Sequence, residues 1–129
     1  MLIVGDTGGK MGPLTQEQAI IWLEAKDSRK YNEILKQKLK SSVGGILAAN
    51  DSTVDGGGNT RYTFLGEPLY HESNGATKTG GVSLFYIKRP GNVAKVVGIG
   101  YHVGAQTYKL TWTHHDWTRM RNEDTLCLD

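Results

Sequence analysis

The sequence contains little cysteine and no long hydrophobic run, and each shortage excludes a class of protein. Cys127 is the single cysteine of the 129 residues, so an internal disulfide and a multi-cysteine zinc site are excluded. The longest unbroken apolar run, Ala19 to Leu23, has five residues, whereas a membrane-spanning helix needs about 20. The first ten residues also lack the basic start and the apolar run of a secretory signal. We therefore expect a protein without membrane contact.

Proline is equally scarce, but glycine is abundant. The chain has 3 prolines and 17 glycines, and the glycines follow no fixed period, so a collagen-like protein is excluded. Hydrophobic residues make up 38% of the chain, which is enough to bury a core, and the length suits one domain. The sequence therefore predicts a single domain over residues 1–129.

The small net charge of +2 conceals a basic segment between Lys26 and Lys40. Six basic residues lie there, opposed by Asp27 and Glu33. A basic stripe on a helix can bind phosphates, and it can equally be a solvated face that keeps the protein soluble. Both interpretations stay open.

Residues 14–49 have the pattern of two helices. Thr15 and Gln18 have the spacing of a capping box, which predicts a first helix from about Gln16 to Lys26. Asp27-Ser28 predicts a break and a second N-cap, followed by a helix with an apolar stripe that Gly44-Gly45 ends or bends. Before this pair, residues 1–13 are expected to be either flexible or a short edge strand.

The remainder of the chain is rich in aromatic and β-branched residues, which are typical of strands. We expect a Gly-rich loop over residues 50–60, an antiparallel sheet over residues 61–113 and a tail over residues 117–129. Five runs have strand character: Arg61–Leu65, Leu69–Glu72, Val82–Arg89, Val93–Val103 and Thr107–Thr113. The predicted fold class is α+β, with an N-terminal helical hairpin packed on one face of a twisted antiparallel sheet of 4–5 strands.

Turn residues predict the register of the last three strands. Pro90-Gly91 and Gly104-Ala105 both fit two-residue turns, which place Lys109 opposite Gly100. Side-chain alternation then puts Lys109 and Thr111 on the face away from the helices. The apolar residues of the helix-covered face would be Val82, Leu84, Tyr86, Val97, Ile99, Tyr101, Val103, Tyr108, Leu110 and Trp112.

The opposite face contains two bare positions, Gly98 and Gly100, with His102 beside them. Glycine inside a strand often marks the close approach of a ligand or of another part of the chain. Two interpretations stay open: a shallow ligand site, or packing by the C-terminal segment that contains Trp117.

We predict no metal ion and no cofactor. His114-His115-Asp116 resembles a set of metal ligands, but adjacent side chains diverge in a strand or a helix. A joint site would need a bent loop and a further ligand such as His71. Gly5 to Met11 lacks the spacing of a phosphate-binding loop, and Gly98-x-Gly100 lacks the third glycine of a dinucleotide fingerprint.

The remaining polar residues of the predicted sheet suit metal-independent RNA cleavage. That reaction needs a base for the 2′-hydroxyl, an acid for the leaving oxygen and cations for the phosphate. We therefore predict a catalytic set of His102, Lys109 and His71. Arg89, Gly98, Gly100, Thr111 and Arg61 are predicted to bind the substrate.

Two segments carry a family resemblance: Ser83-Leu84-Phe85-Tyr86-Ile87-Lys88-Arg89, and Val96-Val97-Gly98-Ile99-Gly100-Tyr101-His102. With the order of elements, they resemble the RelE/ParE-type toxins and the wider barnase–EndoU–colicin–RelE group of small ribonucleases. The resemblance implies a bacterial toxin that hydrolyses RNA and a cognate immunity or antitoxin partner. It also implies a cytoplasmic location, or delivery to the cytoplasm of a target cell. His102 and Arg89 are the residues that carry over, because they lie in the matched segments.

Two other functions fit the same sequence. A small molecule could bind in a pocket on the sheet, with the Gly98–Gly100 floor lined by Phe85 and Trp117. A non-catalytic protein-binding module, such as an immunity or inhibitor protein, is the second alternative.

Overall fold

The computed structural model describes residues 2–7, 10–48, 58–74, 81–104, 107–117 and 125–127, and these form two helices and eight strands. The elements follow one another as β1 (Leu2–Thr7), β2 (Lys10–Leu14), α1 (Gln16–Lys26), α2 (Glu33–Ala48), β3 (Gly58–Phe64), β4 (Glu67–Asn74), β5 (Val82–Arg89), β6 (Val93–His102), β7 (Thr107–Thr113) and β8 (Thr125–Cys127). Neither helix is long and apolar enough to cross a membrane.

All eight strands belong to one mixed sheet with β6 at its centre. The strand order is β2-β1-β6-β5-β4-β3, and β7 pairs with β6 and with β8. The first residues of β6 pair with β1 in parallel, and its last residues pair with β7. The other pairings, including the consecutive strands from β3 to β8, are antiparallel. The strand predicted over 93–103 is therefore internal to the sheet.

The predicted fold class is wrong in three respects. The helices are not N-terminal, because the β1–β2 hairpin precedes them, and the sheet has eight strands rather than 4–5. It is also mixed rather than antiparallel, since β1 runs parallel to β6. Residues 1–13 were expected to be flexible or an edge strand, but β1 lies between β2 and β6 and buries Ile3 completely. Tertiary pairing stabilises this short, Gly-containing segment, whose own strand signal is weak.

The segment predicted as a tail also belongs to the fold. Trp117 is buried, and Thr125–Cys127 pairs with β7 as β8. At the other end of the sheet, β3 begins at Gly58, inside the segment predicted as the Gly-rich loop. Most of that loop, residues 50–57, lies outside the described part of the chain.

The helices follow their sequence signals closely. The predicted bounds of α1 are confirmed, and Thr15 and Gln18 form the reciprocal capping box. The second helix begins later than predicted, because Asn32 caps it by accepting a hydrogen bond from the amide of Leu35 at 2.9 Å. It then continues through Gly44-Gly45 to Ala48. A Cβ on Gly45 would collide with the side chain of Glu72, so glycine there lets α2 approach β4 closely.

Apolar side chains are buried on both faces of the sheet. The helix-facing core joins α1 and α2 to the sheet through Ile3, Leu14, Ala19, Leu23, Leu35, Leu39, Val43, Ile46, Val82, Leu84, Tyr86, Ala94, Val96 and Ile99. The second core lies on the opposite face and contains Phe64, Leu69, Phe85, Ile87, Val97, Tyr108, Leu110, Trp117 and Leu126. Strands β3 to β8, with Trp117, therefore share a second core on the face away from the helices.

The predicted register of β5 and β6 is wrong. Arg89 pairs with Val93, so the turn has three residues, and two of them, Gly91 and Asn92, have positive φ. A β-bulge shifts the register between Phe85 and Tyr86 and leaves Val97 as the extra residue of β6. Side-chain alternation reverses at a bulge, so Val97 faces the second core.

A second bulge reverses the faces of β7. Ile99 pairs with Trp112 and Gly100 pairs with Leu110, which leaves Thr111 as the extra residue. Leu110 is buried as predicted, but in the second core, away from the helices. Trp112 packs against the helix-facing core as predicted, and it is partly buried there.

A buried ion pair attaches the connection between the helices to the sheet. Asp27 follows α1, and its carboxylate accepts hydrogen bonds from Arg29 at 2.9 Å (Nη2) and from the Tyr31 hydroxyl at 2.7 Å. Arg29 also donates to the carbonyl of Gly81 at 2.7 Å and lies 5.0 Å from the centre of the Tyr101 ring. Burial alone would raise the pKa of the Asp27 carboxyl, but hydrogen bonds from Arg29 and Tyr31 outweigh it and lower that pKa.

Removing this carboxylate should destabilise the fold in a pH-dependent way. We expect Asp27→Ala to reduce the free energy of unfolding at pH 7 by about 3–5 kcal/mol, because it leaves Arg29 buried without its partner. The lowered pKa means that the carboxylate stabilises the fold fully above about pH 4, and that this contribution is lost as the pH falls through the folded-state value.

Urea unfolding at several pH values measures this difference. The gap between Asp27→Ala and the parent should shrink below about pH 4. Glu33→Gln, on the exposed first turn of α2, is the control and should cost less than about 1 kcal/mol. A gap that is the same at pH 7 and at acidic pH would contradict the role of the carboxylate charge.

Candidate functional site

Two histidines and a buried tyrosine meet on the second face of the sheet. Tyr108 of β7 is 1% exposed and pairs directly with His102 of β6, whose ring centre is 4.1 Å from that of Tyr108. His71 of β4 contacts the same phenol ring edge-on, with 5.6 Å between ring centres. Both imidazoles are only partly buried. Three strands therefore bring two accessible proton-transfer groups to one aromatic ring.

Hydroxyl groups extend this cluster along β4 and β5. Ser73 and Ser83 are paired across the two strands, and their hydroxyl oxygens are 2.8 Å apart. The Tyr108 hydroxyl is hydrogen-bonded to Ser73. Burial raises the pKa of Tyr108, and the hydrogen bond with Ser73 opposes only part of that shift. Tyr108 thus remains a neutral phenol at neutral pH, fixed at the base of the cluster.

The backbone next to His102 sets the orientation of its ring. Nδ1 of His102 lies 3.2 Å from the carbonyl oxygen of Gly104. A carbonyl oxygen only accepts hydrogen bonds, so Nδ1 must donate, and in the neutral ring the lone pair is on Nε2. This assignment makes Nε2 of His102 the atom that can accept a proton.

His71 is held by the second core. Its ring is stacked on Phe85, the residue paired with it on β5, with 6.1 Å between centres and 20° between planes. Phe85 is completely buried and also contacts Tyr108 edge-on at 5.3 Å. Packing against Phe85 and Tyr108 leaves the orientation of His71 well defined.

Lys109 lies on the other side of the sheet from His102. It pairs with Tyr101, whereas the two-residue turn predicted that it would lie opposite Gly100. Its strand neighbours Tyr108 and Leu110 both point into the second core, so Lys109 points away from it. The structure therefore brings His102 and His71 together but separates Lys109 from both.

The predicted phosphate contacts do not join the histidine cluster either. Arg89 is at the far end of β5, six residues or about 20 Å from Ser83, and forms an exposed ion pair of 2.6 Å with Glu67. The Thr111 hydroxyl donates to the carbonyl of Ile99 at 3.2 Å within the bulge. Arg61 belongs to β3, but its side chain lies outside the described part of the structure.

The Gly98–Gly100 floor is filled by the protein itself. A Cβ on Gly98 would be 2.8 Å from the indole of Trp117, which is 3% exposed and contacts Phe85 at 6.4 Å between ring centres. A Cβ on Gly100 would collide with the carbonyl oxygen of Lys109. Of the two interpretations of this floor, packing by the C-terminal segment is therefore correct at Gly98.

Sequence reasoning missed the residues that complete the cluster. Tyr108 was expected under the helices, because the predicted two-residue turn paired it with Tyr101, whereas it pairs with His102 and lies in the second core. Ser73 had no distinguishing pattern. Ser83 did carry a signal, since a serine inside the apolar run of β5 must find a hydrogen-bond partner when it is buried.

Gly100 offers a direct test of the close approach between β6 and β7. We expect Gly100→Ala to lower the free energy of unfolding by about 1–3 kcal/mol or more, because the methyl group meets backbone that cannot rotate away. Gly12→Ala in β2 is the matched control, since its Cβ would meet nothing within 4 Å. Chemical denaturation of both variants measures the difference, and equal stabilities would show that the two strands are not in close contact at Gly100.

Comparison of the chain with protein-family models, with curated proteins and with solved structures finds no match. The chemistry of the His71–Tyr108–His102 cluster is thus the basis on which a function can be argued.

Proposed function

We propose that the protein is a small ribonuclease in which His71 and His102 transfer protons. The observation that carries this function is the contact of both imidazoles with one buried ring, Tyr108, at 5.6 Å and 4.1 Å between centres. Histidine is the side chain best suited to take and to give a proton near neutral pH. Two of them at one site form a complete acid–base pair.

RNA is the substrate that such a pair can cleave without another nucleophile. His102 accepts the proton of a ribose 2′-hydroxyl through Nε2, and the 2′-oxygen forms a bond to the adjacent phosphorus. The bond from phosphorus to the 5′-oxygen breaks, and protonated His71 gives its proton to that leaving oxygen. The products are a 2′,3′-cyclic phosphate and a free 5′-hydroxyl, and the two histidines have exchanged protonation states.

The surrounding residues position this pair. The carbonyl of Gly104 accepts a hydrogen bond from Nδ1 of His102, which leaves the lone pair of the neutral ring on Nε2. Phe85 and Tyr108 fix the His71 ring from two directions. The same reaction class is implied by the resemblance of residues 83–102 to the RelE/ParE-type toxins.

The experiment compares cleavage of a short RNA by the parent protein and by His102→Ala. We expect the substitution to lower the rate constant by about 10²–10⁴-fold, because it removes a proton-transfer group. His71→Ala should give a loss of similar size. An RNA with a single 2′-deoxy residue at the cleaved position should not be cut, since it lacks the nucleophile.

Lys109→Ala is the matched control, because this residue is on the neighbouring strand but points to the opposite face. The rate constant of this variant should stay within about threefold of that of the parent, because substitutions on the surface usually have small energetic effects. Circular dichroism of each variant shows that the fold is retained. Absence of RNA cleavage by the parent, or full activity of folded His102→Ala, would overturn the proposed function.

A further inference from the structure

We propose that His114, His115 and Asp116 bind a divalent transition-metal ion such as Zn²⁺. They follow β7 in the chain, and their donor atoms all lie within 4.8 Å of one another. None of the three belongs to the His71–Tyr108–His102 cluster. This site is therefore separate from the proposed ribonuclease function and does not depend on it.

Consecutive residues can share an ion here because the chain turns sharply at this point. The amide of His114 donates to the carbonyl of Val97 at 2.7 Å, and the amide of Trp117 donates back to the carbonyl of His114 at 2.9 Å. Buried Trp117 anchors the far side of the turn. The turn supplies the bent loop that a strand or a helix could not, and it presents the three side chains from a fixed backbone.

The distances between donor atoms suit a small ion. Nε2 of His115 is 3.3 Å from one carboxylate oxygen of Asp116, and Nδ1 of His114 is 3.7 Å from the other. Ligands that bind Zn²⁺ at about 2.0–2.2 Å in a tetrahedron are about 3.3–3.5 Å apart. The exposed side chains of His115 and Asp116 can make the remaining small adjustment by rotation.

His114 is the rigid member of the set. Its side chain is 15% exposed, and its ring is held edge-on against Phe64, with 5.5 Å between centres. Nδ1 accepts a hydrogen bond from the amide of Asp116 at 3.1 Å, so its lone pair points into the turn. A bound ion would take this lone pair in place of the amide proton.

The donor set selects the class of metal. Two imidazoles and one carboxylate suit Zn²⁺, Co²⁺, Ni²⁺ or Cu²⁺, whereas Mg²⁺ and Ca²⁺ prefer oxygen ligands. With three protein ligands, the remaining coordination positions of the ion would be filled by water.

The test titrates the full chain, with any affinity tag removed, with Zn²⁺ in a calorimeter and with Co²⁺ in a spectrophotometer. We expect one saturable equivalent, and visible Co²⁺ absorption of the strength typical of tetrahedral coordination. His115→Ala and Asp116→Asn should each weaken binding about tenfold or more, because each removes one ligand. Both residues are on the surface, so the variants should fold.

His102→Ala is the matched control, because it removes an imidazole elsewhere and should leave metal binding unchanged. Binding that is not saturable, or that is as tight in His115→Ala and Asp116→Asn as in the parent, would overturn the proposed site. Loss of binding in His102→Ala with retention in His115→Ala would also overturn it. RNA cleavage is not measured in this experiment, so its outcome is independent of the ribonuclease activity.

Discussion

Burial of β6 on both faces is the constraint on which the rest of the structure depends. Val96 and Val97 are adjacent in the strand and both completely buried, yet they belong to different cores. Adjacent residues of a strand point to opposite faces of the sheet. For both to be buried, the strand needs a neighbouring strand on each edge and apolar residues packed over each face. The helices supply one cover, and Trp117 with β8 supplies the other.

Glycine makes the second cover possible. At Gly98 the indole of Trp117 rests where a side chain would otherwise stand, and at Gly100 the backbone of β7 comes too close for a Cβ. The bulge at Thr111 is next to this point of contact. The two bare positions of β6 therefore allow Trp117 to pack tightly on the second face and β7 to lie close beside β6.

Local signals in the sequence predicted the elements better than their arrangement. The capping box defined α1, and runs of β-branched and aromatic residues located β5 to β7 almost to the residue. The short strands β2 and β8 were missed, and β1 was expected only as one of two alternatives, because the stability of these strands comes from pairing rather than from propensity. The register failed because a turn or a bulge can contain one residue more without changing the local composition, and one residue reverses every later side chain.

The register beside the turn between β6 and β7 decides which candidate residues meet. With simple two-residue turns, Lys109 would share a face with His102, and Tyr108 would lie under the helices. With the observed register, Tyr108 lies between His102 and His71, and Lys109 is on the opposite face. The histidines could be named from the sequence because their chemistry is distinctive, but their common partner could not, since it depends on a register difference of one residue at the turn.

The central feature of the structure is the pairing of His102 with Tyr108 across β6 and β7. Nuclear Overhauser effects between the two strands measure this register directly. Cross-strand contacts should link His102 with Tyr108 and Tyr101 with Lys109, and the ring protons of both His71 and His102 should show contacts to the Tyr108 ring. Contacts that pair Tyr101 with Tyr108 and Gly100 with Lys109 would instead show the register of a two-residue turn. That result would separate the two histidines from Tyr108 and contradict the account.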